Sequence, residues 1–163
     1  MTPRSATKLH VWAGRTEVSD SARSLGGMRA VDYEYACTLD PAPTAEPAER
    51  WARAVFEGAP APLRLTIVAG WRVALWLRIA PRSPANILGW TIATNEQEAT
   101  VLRVDSPLLT AHIVVQTHET RVVHTTLVRL ERPLGRVIWA LAAPIHQLVI
   151  PLLLKHAATR LAG

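Results

Sequence analysis

Hydrophobic positions change rhythm part-way along the chain. From Ile87 they recur every second residue, which marks candidate strands at 87–94, 99–105, 109–117, 121–131 and 135–141. Asn95-Glu96-Gln97-Glu98 and His118-Glu119-Thr120 are short polar turns, and Arg132-Pro133-Leu134-Gly135 is another, so these strands read as an antiparallel meander. Upstream, Val31–Leu39 alternates loosely and reads as a first strand that Pro41-Ala42-Pro43 ends. Thr44 is then a suitable N-cap, with Glu46 and Glu49 in the first turns, where the helix dipole favours acids. Ala48, Trp51, Ala52 and Val55 fall on one side of that helix, which Gly58 and Pro60 stop. Leu63–Ile79 is too long for one ordinary strand and reads as a second helix. Its Arg64, Arg72 and Arg78, beside Trp71 and Trp76, suggest a partly exposed face with snorkelling stems.

The last helix is expected to open at Pro144 and to kink at Pro151. Ile145, Leu148, Val149 and Leu152 form one apolar stripe, and Ile150, Leu153, Ala157 and Leu161 a second, so the helix reads as deeply packed. Residues 1–30 read as a flexible basic tail, with a short strand around Leu9–Trp12 as a weaker signal. Met28, after Gly26-Gly27, offers a second translation start for a unit beginning near Val31. The order is therefore strand, two helices, about five antiparallel strands and a long terminal helix. This is an α+β plan in which a curved antiparallel sheet wraps the C-terminal helix, with the folded domain at residues 31–163.

Composition narrows the function classes. With 163 residues and 49% hydrophobic content, the chain is one domain with a real core rather than a disordered segment. Cys37 has no second cysteine, which excludes a disulfide scaffold, a zinc ribbon and an iron–sulfur site. Of the net +5, the first thirty residues carry +3, and the remaining arginines are scattered without a nucleic-acid motif. No nucleic-acid partner is expected. No apolar leader opens the chain, so a cytoplasmic location is expected. Val137–Leu154 runs 18 residues without a charge, long enough for a membrane-span candidate. Pro144, His146, Gln147 and Pro151 interrupt it, which favours a buried strand and helix over a span.

The residues Asp32-Tyr33, Trp51-Ala52, Val55-Phe56, Gly89-Trp90, the acidic turn Glu96–Glu98, Leu134-Gly135-Arg136, Pro144-Ile145-His146 and Pro151 carry a resemblance over about residues 31–160. The chain resembles the helix-grip fold of the START and polyketide-cyclase (SRPBCC) superfamily. More narrowly, it is similar to an uncharacterised bacterial domain family within it, frequent in actinobacteria. That family often has a glycine near the end of the acidic-turn strand and a His-Leu pair opening the next; here those places read Arg103-Val104 and Pro107-Leu108. The resemblance implies a START-like cavity between sheet and terminal helix for a hydrophobic or amphipathic small molecule. It supplies no reaction.

Pairing residues 109–117 with 121–131 about Glu119 sets Ala111, Ile113 and Val115 with Val123, Thr125 and Leu127 on one face. The other face then carries His112 and His124 as diagonal neighbours. Two readings are open: a cavity face with two imidazoles as acid, base or polar anchors, or an outer mixed face with half-exposed histidines. A one-residue slip exchanges the faces. His146, one turn into the last helix, is either a cavity-lining donor or a packed ring bonded to the backbone. The expected ligand-binding set is Ile113, Val115, Thr125, Trp139, His146, Val149 and Leu153.

His112, His118 and His124 are evenly spaced, yet no carboxylate–histidine motif accompanies them, so no metal is expected. The nucleophile-elbow and phosphate-loop patterns are missing, and no cofactor is expected. The leading class is a binding module for a hydrophobic small molecule. A cyclase- or hydrolase-like enzyme using His112, His124 or His146 is the rival. The third class is a membrane-peripheral protein resting the tail and Leu63–Ile79 on anionic lipid.

Overall fold

A computed structural model describes residues 11–43 and 45–163. Elements follow in the order β1 (Trp12–Thr16), α1 (Asp20–Gly26), β2 (Tyr33–Asp40), α2 (Ala48–Phe56), α3 (Ala61–Val73), β3 (Asn86–Ile87), β4 (Trp90–Asn95), β5 (Ala99–Asp105), β6 (Leu109–Thr117), β7 (Val122–Leu130) and α4 (Pro133–Leu161). The strands form one curved, antiparallel seven-stranded sheet in the order β1-β2-β7-β6-β5-β4-β3, and α4 packs against it. The architecture is α+β, with two helices between β2 and the meander. Thr44, expected as a helix cap, lies outside the described residues; α2 begins at Ala48 behind Pro47, with no side-chain cap.

Four elements depart from the sequence reading; one is 87–94, read as a single strand, which divides at Leu88-Gly89 into the antiparallel pair β3 and β4. The stretch 12–26, read as part of a tail, carries β1, which pairs with β2 from Trp12–Asp40 to Thr16–Ala36, and α1. Ser19 caps α1, its hydroxyl accepting from the Ala22 amide, and Gly27 closes it at φ 62°. Residues 135–141, read as a strand, are the opening turns of α4. Pro133 sits in the first turn, and Gly135 packs so closely on the Leu108 carbonyl that an added Cβ would stand 2.5 Å from its oxygen. The second helix ends at Val73 rather than Ile79, and the following chain reaches β3 without regular structure.

The sheet has two covered faces. On the concave side, Tyr35, Cys37 and Leu39 of β2 meet Val122 and Val128 of β7, Ala111 and Ile113 of β6, and Leu102 of β5. Trp51, Ala52 and Val55 of α2 and Leu153, Leu154 and Ala157 of α4 close over them, all buried. On the convex side α1 lies over β6 and β7. There Arg23 pairs with Glu34, and Gln116 donates to the Ser21 hydroxyl. α4 is less deeply packed than its composition suggests. Its inner side is buried at Trp139, Ile150, Leu153 and Leu154, but Ile145, Leu148 and Leu152, read as core, are exposed.

Candidate functional site

The β6–β7 turn decides which side chains share a face. The His118 amide donates to the Arg121 carbonyl at 2.8 Å, so the loop is the pair Glu119-Thr120. The pairing centre therefore lies between those residues, not on Glu119. Ala111 meets Val128, Ile113 meets Thr126 and Val115 meets His124. This half-step puts His124 and Thr126 on the concave side and Thr125 on the convex side. His112 and His124, expected as neighbours, lie on opposite faces. His112 Nδ1–H donates to the Gly26 carbonyl at 2.7 Å beneath α1, and burial lowers its pKa.

A cavity of about 710 Å³ opens between α3, the concave face and α4. Ile113, Trp139, His146, Val149 and Leu153 line it; Val115 is buried on the same face but outside the lining, and Thr125 is buried away from it. Leu109, Ala111 and Thr126 form the rest of the floor, Phe56 and Trp90 the inner end, and Leu63, Ile67 and Trp71 the α3 wall. Among the described residues, none that lines it is charged. The size suits a drug-sized molecule.

His146 is the most polar group in the wall. Its Nε2 shares a hydrogen bond of 3.1 Å with Thr126 Oγ1, while its Nδ1 finds no partner among the described residues. Tyr33, Tyr35 and Trp139 box the ring, with centroids 6.2, 5.5 and 5.9 Å away. Burial pushes its pKa down to about 4, so the imidazole is neutral at physiological pH. Either tautomer leaves Nδ1 as a donor or an acceptor. The Nε1 groups of Trp90 and Trp139 are likewise buried without a partner among the described residues. These nitrogens are covered by their neighbours, and the surface the wall presents is almost wholly apolar.

Two arrangements that could carry chemistry do not. Cys37 stands opposite His124 in the β2–β7 register. Burial holds the thiol near 11 and the imidazole near 3, so both are neutral, and neither reaches the cavity lining. Among the described residues no three His, Cys, Asp or Glu side chains gather as a metal site would need.

A protein-family model matches residues 25–153, from the end of α1 through most of α4. The chain belongs to the family described as "Protein of unknown function (DUF2867)". The DUF2867 match includes every cavity-lining element and leaves β1 and most of α1 outside. Neither the curated proteins nor the solved structures compared with this chain include a match.

α3 is the weakest wall of this DUF2867 cavity. It has no buried residue, and only Leu63, Ile67 and Trp71 are half-buried against the core. Its amides are expected to exchange with solvent at least about tenfold faster than those of β6, whose strand is buried throughout its middle. Hydrogen exchange read by mass spectrometry on peptides spanning 61–73 and 109–117 checks this; equal protection would contradict it.

Proposed function

We propose that this DUF2867 domain binds a neutral, mainly apolar small molecule carrying one or two hydrogen-bonding groups, in the cavity between sheet and α4. One observation carries the reading: an uncharged cavity of about 710 Å³ whose wall holds a buried, neutral His146 with a ring nitrogen left unpartnered among the described residues. A buried polar atom without a partner costs about 1–3 kcal/mol, which a ligand group would offset once a shift of the surrounding rings uncovers the nitrogen. An ionic head would lose its hydration and meet no countercharge there. The element order and the sheet-on-helix cavity support a place in the START-like superfamily, and the reading is of a cytoplasmic binding protein rather than an enzyme. Among the described residues no carboxylate lines the cavity to orient His146, which favours binding over acid–base chemistry.

The test uses the neutral fluorophore N-phenylnaphthylamine and native mass spectrometry of the purified protein. Wild type is expected to bind the dye, or to release a stoichiometric apolar passenger on organic extraction. Ala111→Trp, which fills the cavity floor, is expected to lose either by at least about tenfold. His146→Phe is expected to retain dye binding and to lose a polar-headed passenger. Dye binding by Ala111→Trp equal to wild type, with folding confirmed by circular dichroism, would overturn the reading.

A further inference from the structure

The outer face of α4 is apolar as well as the inner. Leu134, Val137, Leu141, Ile145, Leu148 and Leu152 are all at least half exposed. Leu134 and Leu152 stand five helical turns apart, so the ridge runs straight along the axis. α3 and the segment after it add Leu65, Val73 and Trp76, also exposed. Val73, Trp76, Leu141 and Ile145 belong both to this surface and to the cavity lining, so the cavity opens onto the apolar face.

Charge identifies what covers it. Residues 58–95 and 132–163, which supply α3 and α4, contain eight basic side chains and no acidic one. Three of them, Arg64, Arg72 and Arg82, line a groove of about 340 Å³ that shares α3 with the cavity, with Glu57 as its one acidic lining residue among the described residues. Arg132 and Arg136 flank the start of the α4 ridge, and Lys155 and Arg160 follow its end; of the eight, Arg136 pairs with Asp32 and Arg78 with Asp105. Two copies meeting through this face would bring like charges together. A bilayer rich in anionic lipid offers an apolar interior beneath a negative surface. We propose that this face, α3 with the outer ridge of α4, docks peripherally on an anionic membrane, with the cavity mouth against the lipid. α4 meets the length and hydropathy needed to cross a membrane, but its inner side is the lid of the protein core, and spanning would strip that contact. The docking stands on the surface itself. Its purpose, passing an apolar molecule between bilayer and cavity without crossing water, rests on the binding function proposed above.

The test is flotation with vesicles of phosphatidylcholine alone and of phosphatidylcholine with phosphatidylglycerol. Wild type is expected to float with the anionic vesicles and to be released by high salt. Leu141→Glu with Leu148→Glu, two solvent-exposed positions, is expected to reduce binding by more than about tenfold, and Arg72→Gln with Arg136→Gln by about tenfold. No flotation with anionic vesicles, or equal flotation by the glutamate pair, would overturn the proposal. So would a dimer in light scattering that the glutamate pair dissociates, without vesicle binding. Ala111→Trp separates the two ideas, since it closes the cavity and is expected to float as wild type. Dye binding lost from wild type with flotation intact sinks the cavity alone; flotation lost with dye binding intact sinks the docking alone.

Discussion

Replacing His124 with leucine is expected to stabilise the protein at neutral pH and to flatten its acid denaturation. The ring is fully buried on β7, opposite Cys37 and 5.9 Å from the ring of Phe56. Neither of its nitrogens has a hydrogen-bond partner among the described residues. Leucine removes that desolvated polar group at similar volume, a gain of about 1–3 kcal/mol. Burial first, and repulsion from His146 second, push the His124 pKa down to about 3; burial alone takes His146 to about 4. Both values lie below the ordinary 6.5. As pH falls below 6.5, the unfolded chain takes up protons that the folded chain refuses. Stability is thus level above that pH and falls by about 1.4 kcal/mol per unit per histidine below it. The loss continues until each folded pKa is passed. His124→Leu leaves His146 and His112, both lowered by burial, still contributing, so the slope between pH 6 and pH 4.5 is expected to become shallower without vanishing. Urea denaturation at several pH values measures this. An unchanged slope, or a less stable variant at pH 7, would show that the His124 ring is better satisfied than its surroundings indicate.

Tyr35→Phe is expected to cost about 1–2 kcal/mol, and to cost almost nothing when Pro151 is alanine. α4 runs through Pro144 and Pro151 without ending. A proline has no amide hydrogen, so Pro151 leaves the carbonyl of Gln147 without its helical donor. The Tyr35 hydroxyl, coming from β2, donates to that carbonyl at 3.3 Å. The Gln147 side chain in turn donates to the Tyr33 hydroxyl at 3.1 Å. A break in the helix ladder is thereby repaired from the sheet, and the repair pins the turn that carries His146 against Tyr33 and Tyr35. In Pro151→Ala the new amide takes the carbonyl, and the tyrosine hydroxyl becomes redundant. The four-variant denaturation cycle is expected to show a coupling of about 1 kcal/mol. Additive effects would mean that the two residues act separately.

Much of the fold was legible because strong patterns repeat. The period-two run from residue 99 to 131 gives β5, β6 and β7 nearly to the residue. The run VIWALAA was misread because Val137, Ile138 and Trp139 suit a strand, and a short apolar run carries no period that separates strand from helix. β1 and α1 were hidden by an Arg-, Ser- and Gly-rich stretch; an edge strand of five residues without alternating burial leaves little signal. At the cavity, Val149 and Leu153 are readable from helical spacing, whereas Trp139 is read on a strand and His146 rests in part on the family resemblance. Thr126 was missed in favour of Thr125 because a half-residue error at the Glu119-Thr120 turn inverts a whole strand. The tyrosine box was missed as well. Its signal was present in Tyr33 and Tyr35, which alternate onto one face, but their partner lies across the chain on a helix whose start had been misplaced.

The strand order also sets a timetable for folding. β4 to β7 are joined by short turns, so their pairing closes small loops and can form early. The seam between β2 and β7 is different, since Tyr33 meets Val128 and α2, α3 and the whole meander lie between. Closing it demands the largest loss of chain entropy in the sheet. The β2–β7 seam therefore forms last, and until it does the β7 edge stands open beside the apolar α4, the interval in which a nascent chain is most exposed to aggregation.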